Sequence, residues 1–278
     1  MPAAVTYAVG ALEVVLVGAG ALLLWQRALS PAARAKAPPA ALAPSDRPTV
    51  DVFMFLFLVL TASFTGSLLA VQVSGLARLG VGSEAAMIVN GAGAQLGMLA
   101  GAALFRLRVE RRDFVPRPFS SEVLRDGFLT FLLSLPIIVM IGSLWEQLLR
   151  LLGLPVHKQD LVALFANAGS PWLLAGMISL AVLVAPVAEE FVFRAGLFRL
   201  LRGRVPRAVA LFLPATIFAT LHVNWPTLQG LVSLAPLLAL AVVLSLAYER
   251  TGRIGTVIFA HACFNLNTIV VIFSGLDP

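Results

Sequence analysis

The sequence predicts an all-α, polytopic membrane protein with about eight transmembrane helices, on three observations. The 278 residues are 59% hydrophobic and only 12% charged, whereas soluble domains are about 45–50% apolar and about 25% charged. The mean hydropathy is +0.94. The apolar residues fall into separate stretches near the roughly 20 residues that a bilayer-spanning helix needs. The predicted spans are residues 4–25, 50–72, 85–105, 127–145, 171–192, 208–224, 229–247 and 254–274.

The basic residues predict the orientation of these spans. Of the 20 Lys and Arg residues, 17 lie in odd-numbered connections, and only Arg78, Arg150 and Lys158 lie in even-numbered ones. Because positive charge stays on the cytoplasmic side, the odd connections are predicted inside and both termini outside. The first apolar stretch has no positive charge before it, contains Glu13 and is too long for a signal-peptide core. It is therefore predicted to be a retained helix of a multi-pass protein in a bacterial-type cytoplasmic membrane.

The chain is predicted to divide into N-terminal transmembrane helices at 1–145 and a C-terminal catalytic core at 146–278 that contains the last four helices. Residues 26–48, rich in Ala, Pro and Arg, are predicted to form a flexible cytoplasmic linker. Residues 146–170 are predicted to form an outer-side loop with short interfacial helices. The net charge of +6 lies in short loops, so no nucleic acid partner is expected. A single cysteine, Cys263, excludes an intrachain disulfide.

Small residues recur in the third predicted span. Gly93, Gly97 and Gly101 are spaced four apart, a pattern that lets another helix approach closely within a membrane. We interpret these three glycines as a helix-packing seam with a structural role.

Two adjacent carboxylates, Glu189 and Glu190, lie in the fifth span. Ionisable side chains in a membrane helix are costly and indicate a functional site. Glu190 and Arg194 are one helical turn apart and can pair, whereas Glu189 projects about 100° away around the helix. Glu189 is thus suited to act as a general base on water, and Pro186 is predicted to open the helix to that water. A buried ion-pair cluster that only fastens helices together is the alternative.

Two histidines lie in the last three spans. His222 follows Phe218 by four residues in the sixth span, at a height along the predicted helix hairpin similar to that of Glu189. His261 and Asn265 share one face of the last span, and each can donate the hydrogen bond that stabilises an oxyanion. Alternative interpretations are a buried core histidine and an interhelical hydrogen-bond pair. His157 lies in a loop and is given no role.

Three motifs occur in order, each in its own apolar segment: Glu-Glu-x-x-x-Arg at 189–194, Phe-x-x-x-His at 218–222 and His-x-x-x-Asn at 261–265. Together they resemble the CPBP family of CAAX proteases and bacteriocin-processing (Abi) enzymes, which includes the type II CAAX prenyl endopeptidases, over residues 171–270. The resemblance implies an intramembrane endopeptidase acting on a membrane-embedded or lipid-modified protein or peptide. It implies that Glu189 and His222 activate water, that His261 and Asn265 stabilise the oxyanion, and that Glu190 and Arg194 support the site.

The sequence leaves alternatives open for both the cofactor and the class of function. The family resemblance implies a divalent metal such as zinc, for which Glu189, His222 and His261 are the candidate ligands. Zinc sites usually take three protein ligands in a compact arrangement, and a metal-free, glutamate-based mechanism is an equal alternative. Two other functions compete with the protease. One is a membrane transporter that uses the buried polar residues as a relay, and the other is a non-catalytic immunity or scaffold protein.

Overall fold

The chain is helical throughout the part that the structure describes. This computed structural model describes residues 3–36, 39–80, 83–109, 120–156, 170–228 and 230–276, and within these ranges it contains no β-strand. The continuous helical segments there are α1 (Ala3–Leu29), α2 (Pro31–Ala35), α3 (Val50–Leu76), α4 (Glu84–Val109), α5 (Ser121–Leu151), α6 (Pro171–Leu201), α7 (Arg207–Thr220), α8 (Leu231–Thr251) and α9 (Ile254–Ser274).

Seven of the described helices are long and apolar enough to cross a membrane: α1, α3, α4, α5, α6, α8 and α9. The predicted all-α, polytopic membrane fold is therefore confirmed. The last span was predicted with the bounds that α9 has, whereas most of the others continue past their predicted ends. The α5 helix, for example, runs for 31 residues where 127–145 was expected. Hydropathy marks only the residues inside the hydrocarbon layer, and the polar turns that extend each helix leave no such signal.

The helix of the sixth predicted span, 208–224, ends four residues earlier than predicted. The α7 helix has 14 residues and ends at Thr220, so at 1.5 Å per residue it measures only about 21 Å. A proline at position 226 follows closely, and the residue before a proline is disfavoured in a helix. The hydroxyl of Thr6 in α1 nevertheless donates to the backbone oxygen of Ser274 in α9 at 2.6 Å. This contact brings the first helix and the last described helix together within one part of the fold. That α7 completes an eighth pass stays a prediction, because it is shorter than the helices that qualify as membrane spans.

The helices group into two compact units. The first, here called the histidine unit, comprises residues 1–43, 120–166 and 211–278, and the second, the carboxylate unit, comprises 44–119 and 167–210. In the histidine unit α5 packs against α1, α8 and α9. In the carboxylate unit α4 packs against both α3 and α6.

A seam of glycines joins α3 to α4 in the carboxylate unit. A Cβ atom added to Gly97 or Gly101 would overlap the backbone of α3 at Ala62 or Leu58, and Gly66 of α3 lies against Gly93 in the same way. Helices associate in a membrane through such close backbone contact, because burial of apolar surface contributes little there. The structural role predicted for Gly93, Gly97 and Gly101 is confirmed.

Odd-numbered connections contact one another within each unit. In the histidine unit Leu42 N–H donates to the backbone oxygen of Glu249 at 3.0 Å, and Arg253 forms an ion pair with Glu122 at 2.7 Å. In the carboxylate unit Ser45 N–H donates to the backbone oxygen of Arg202 at 2.9 Å. These contacts bring the first, third and seventh connections together in one unit and the first and fifth in the other. The side of the membrane on which they lie stays a prediction.

Two segments differ from the loops that were predicted. Residues 26–48 are not simply a flexible linker, since they include the end of α1, the helix α2 and the buried side chain of Leu42. Ser30 caps α2 by accepting a hydrogen bond from Ala33 N–H at 3.1 Å, and Pro31 stands at its first turn, where proline is favoured. The predicted outer loop 146–170 begins as the last turn of α5, and residues 157–169, with His157, lie outside the described residues.

Candidate active site

The two adjacent carboxylates lie on α6 between two π-helical turns. These turns, Leu180–Val184 and Phe193–Phe198, flank the α-helical segment Ala185–Val192 that carries Glu189 and Glu190. Pro186 explains the first turn, because its ring would collide with the carbonyl four residues earlier and it has no N–H to donate. Wider turns of this kind are frequent at functional sites. Pro186 thus follows a change in helix geometry immediately before Glu189. That it opens the helix to water stays a prediction.

Glu190 forms the ion pair that its four-residue spacing from Arg194 predicts. Nη1 of Arg194 donates to Oε1 of Glu190 at 2.7 Å, and both side chains are fully buried, at 1% and 0% exposure. A charge removed from water this completely requires a close partner of opposite sign. Glu190 therefore forms an ion pair within its own helix.

Glu189 has a different partner, supplied by α4. Nε2 of Gln95 donates a hydrogen bond to Oε1 of Glu189 at 3.0 Å, and the Glu189 side chain is buried, at 8% exposure. The amide of Gln95 thus fixes the direction of this carboxylate. The neighbouring glutamates therefore differ in their hydrogen-bond partners: Arg194 on the same helix bonds to Glu190, and Gln95 on α4 bonds to Glu189. Arg194 also attracts the Glu189 carboxylate electrostatically.

Gln95 was not among the residues predicted from the sequence. Its signal was present, since an amide in the middle of an apolar span is unusual in a membrane helix. The sequence does not identify Glu189 as the partner of this amide, because Gln95 and Glu189 are 94 residues apart.

His222 lies beyond the end of α7 rather than inside a span, which corrects the prediction. The helix ends at Thr220, and two side chains from the following turn reach back to its last carbonyl groups. The ring of His222 bonds to the backbone oxygen of Phe218 at 2.8 Å, and the indole N–H of Trp225 donates to that of Thr220 at 3.1 Å. The last carbonyls of a helix lack intrahelical donors. These two rings donate to them, and Val223 N–H also donates to the backbone oxygen of Thr220 at 3.3 Å.

The bond to Phe218 also fixes the tautomer of His222. A carbonyl oxygen only accepts hydrogen bonds, so Nδ1 of His222 must carry the hydrogen. In the neutral ring the lone pair is then on Nε2. The imidazole is half-buried and presents Nε2 as its acceptor.

Phe218 also connects His222 with His261. Its buried ring lies 4.6 Å from the His222 ring and 6.0 Å from the His261 ring, edge-on to the latter. His261 is buried at 3% exposure, and Asn265 follows one turn later along α9 and is partly buried. The spacing of Phe218 and His222 thus brings His222 and His261 to one aromatic side chain.

The predicted site residues divide between the two units. Glu189, Glu190 and Arg194 belong to the carboxylate unit, and His222, His261 and Asn265 to the histidine unit. The convergence of both sets on one pocket stays a prediction. Within either unit, the described residues contain no group of three His, Cys, Asp or Glu side chains that could hold a metal ion, so neither unit by itself fits a zinc site.

A comparison with known families identifies the class of protein to which this part of the chain is similar. Residues 171–267 match the family described as "Type II CAAX prenyl endopeptidase Rce1-like". The matched segment covers about a third of the chain and contains all three motifs. The predicted resemblance to CAAX proteases is therefore confirmed for this segment. No curated protein and no solved structure gives a match.

Proposed function

We propose that this chain is an intramembrane endopeptidase that hydrolyses a peptide bond with water activated by Glu189 and His222. The observation that best supports this is the contrast between two adjacent buried carboxylates. Arg194 donates a hydrogen bond to Glu190 at 2.7 Å, whereas the Glu189 carboxylate accepts one from the Gln95 amide of another helix at 3.0 Å. A purely structural ion-pair cluster has no need of the second carboxylate, because burying an additional charge is costly.

The proposed reaction begins with proton transfer from water to Glu189. The water oxygen forms a bond to the carbonyl carbon of the substrate, and its proton passes to the Glu189 carboxylate. When the C–N bond of the resulting tetrahedral intermediate breaks, the same proton is returned to the leaving nitrogen, so Glu189 ends as a carboxylate. His222, with its hydrogen held at Nδ1 by Phe218, orients the attacking water through its Nε2 acceptor.

His261 and Asn265 are proposed to stabilise the negative charge that develops on the carbonyl oxygen. Both can donate a hydrogen bond, and donors in a site shielded from water act more strongly than they would in solution. Arg194 is proposed to support the site by neutralising Glu190, which leaves Glu189 as the base.

A bound divalent ion such as zinc would polarise the substrate carbonyl, and Glu189, His222 and His261 are its candidate ligands. The described residues of neither unit by itself include three ligands. The proposed reaction is therefore carried out by the protein's own side chains.

The proposed substrate is a membrane-embedded or lipid-modified protein or peptide. The family description names CAAX prenyl endopeptidases, and the CAAX motif is a C-terminal tetrapeptide whose cysteine is prenylated. We further propose that the chain resides in a bacterial-type cytoplasmic membrane with both termini outside, and that residues 146–278 form the catalytic core.

The test uses the full chain reconstituted in phospholipid vesicles with a farnesylated CAAX peptide as the probe, and mass spectrometry of the products. Glu189→Gln is expected to abolish cleavage, whereas Glu13→Gln is the matched control. Glu13 is also a carboxylate within a span, but it contacts Asn267 at 3.3 Å and has no part in the proposed reaction.

A proteomic comparison of cells that contain the wild-type protein or the Glu189→Gln variant tests natural substrates at the same time. Accumulation of an uncleaved membrane protein in the variant supports the proposal. Equal cleavage by both proteins would contradict it, and altered uptake of a solute without any cleavage product would favour a transporter.

A further inference from the structure

Gln95 on α4, which lies outside the Rce1-like segment, donates a hydrogen bond to Glu189 at 3.0 Å. We infer that Gln95 is a positioning residue for the general base, an inference that rests on the proposed function. It extends the catalytic machinery to a helix that precedes the matched residues 171–267.

The packing of α4 explains why Gln95 is held rigidly. Gly93 and Gly97 fasten one face of α4 to α3, and Gln95 lies two residues from each, which is about 200° around the helix. The amide therefore projects from the opposite face, where α4 packs against α6. Eleven residues later and on nearly the same face, the Arg106 guanidinium lies 5.1 Å from the Phe191 ring centroid. Two contacts on one face thus fix α4 against the segment that carries Glu189.

The chemistry of an amide suits a residue that must hold a base through its proton cycle. Nε2 of Gln95 donates to the Glu189 carboxylate in the resting state. Oε1 of Gln95 is buried and accepts no hydrogen bond within the described residues. Once Glu189 carries the proton taken from water, its hydroxyl becomes a donor, and rotation of the amide brings Oε1 round to accept it. One side chain thereby keeps a hydrogen bond to Glu189 in both protonation states, which neither an apolar residue nor a cation could do.

The test measures kcat and KM for the farnesylated CAAX peptide with the full chain in vesicles. Gln95→Met has a similar length but cannot form the hydrogen bond, and it is expected to lower kcat by about 10–100-fold because the base is no longer held in the productive geometry. KM is expected to stay within about twofold, since the lost interaction serves the transition state rather than substrate binding. Asn90→Leu is the matched control, because Asn90 is an amide in the same helix, about 140° around from Gln95, and it should leave kcat unchanged.

A double-mutant cycle separates positioning from a purely structural role. Glu189→Asp withdraws the carboxylate from Gln95, so Gln95→Met should lower kcat far less in that background than in the wild type. Full additivity would overturn the inference, as would equal effects of Gln95→Met and Asn90→Leu. If Gln95→Met fails to fold, Gln95→Asn keeps the amide on a shorter side chain and should lower kcat in the same way.

The same measurements distinguish failure of this inference from failure of the proposed function. An inactive Glu189→Gln variant together with a wild-type kcat for Gln95→Met would overturn the role of Gln95 alone. Undiminished cleavage by Glu189→Gln would overturn both.

Discussion

Nδ1 of His222 lies 2.8 Å from the backbone oxygen of Phe218, so one imidazole both completes the end of α7 and presents its other nitrogen as an acceptor. The four-residue spacing of these two side chains is therefore more than a sequence pattern. It places the aromatic ring against both histidines and makes the backbone of Phe218 the group that sets the tautomer of His222.

The first prediction separates these two roles of His222. In His222→Asn the side-chain amide nitrogen takes nearly the position of Nδ1 and still donates to Phe218, but no atom replaces Nε2. We expect the thermal stability to be retained and kcat for the CAAX peptide to fall by about 10²–10⁴-fold, the usual contribution of a positioned acid–base group. Thermal unfolding and initial rates in vesicles measure the two effects.

Trp225→Phe is the control for this prediction. It removes the other ring donor to the end of α7, the indole bond to Thr220, at a cost of about 0.5–1.5 kcal/mol, and it should leave kcat unchanged once corrected for folded protein. A His222→Asn variant with wild-type kcat would show that Nε2 has no part in the reaction.

A second prediction concerns the two asparagines of α9. Asn265 is the proposed oxyanion donor, whereas Asn267, two residues later, donates to Glu13 of α1 at 3.3 Å. We expect Asn265→Leu to lower kcat by about 10²–10³-fold, the cost of removing one such donor. Asn267→Leu should instead weaken the contact between α1 and α9 while kcat is preserved. Steady-state rates together with thermal unfolding in detergent distinguish the two variants, and equal losses of kcat would contradict the assignment.

Composition was sufficient to predict the class of fold, because a bilayer constrains every spanning segment directly. The bounds of α9 were predicted correctly for this reason, as was the seam at Gly93, Gly97 and Gly101, since small residues spaced four apart have few other roles in a membrane helix. The end of α7 was missed because it depends on a turn in which the His222 and Trp225 rings replace missing donors. Hydropathy does not detect such contacts.

The candidate site was predictable only where its geometry is local. The Glu190–Arg194 pair follows from one helical turn, and the shared face of His261 and Asn265 follows from another. The contact between Gln95 and Glu189 joins residues far apart in the sequence, so it depends on how α4 packs against α6. A polar residue within a span indicates importance, but it does not identify its partner.

A third prediction concerns orientation. Three helices, α3, α4 and α5, separate Ala40 from Leu154, so the two residues should lie on opposite sides of the membrane, with Ala40 in the cytoplasm. Both side chains are exposed. In a Cys263→Ser background, an impermeant maleimide added to intact cells should label Leu154→Cys and not Ala40→Cys. Inverted vesicles should give the opposite result, and labelling of both residues from one side would contradict the number of passes.

The fourth prediction compares two glycines of the carboxylate unit. A Cβ added to Gly97 would overlap the backbone of Ala62 and Ser63 in α3, whereas a Cβ added to Gly75 meets no atom within 4 Å. Gly97→Ala must therefore push α4 away from α3, at a cost of about 1–3 kcal/mol, while Gly75→Ala should be neutral or slightly stabilising because alanine favours a helix. Thermal unfolding of the two variants under identical detergent conditions measures the difference.

The same pair of variants also tests how Gln95 reaches Glu189. Gly97 packs against α3 on the face of α4 opposite to Gln95. Displacement of α4 at this point should therefore move the Gln95 amide. It should lower the kcat of Gly97→Ala even in the protein that remains folded. The kcat of Gly75→Ala should be unaffected, since this substitution leaves the contact between α3 and α4 unchanged. A folded Gly97→Ala variant with wild-type kcat would mean that the position of α4 does not control the base.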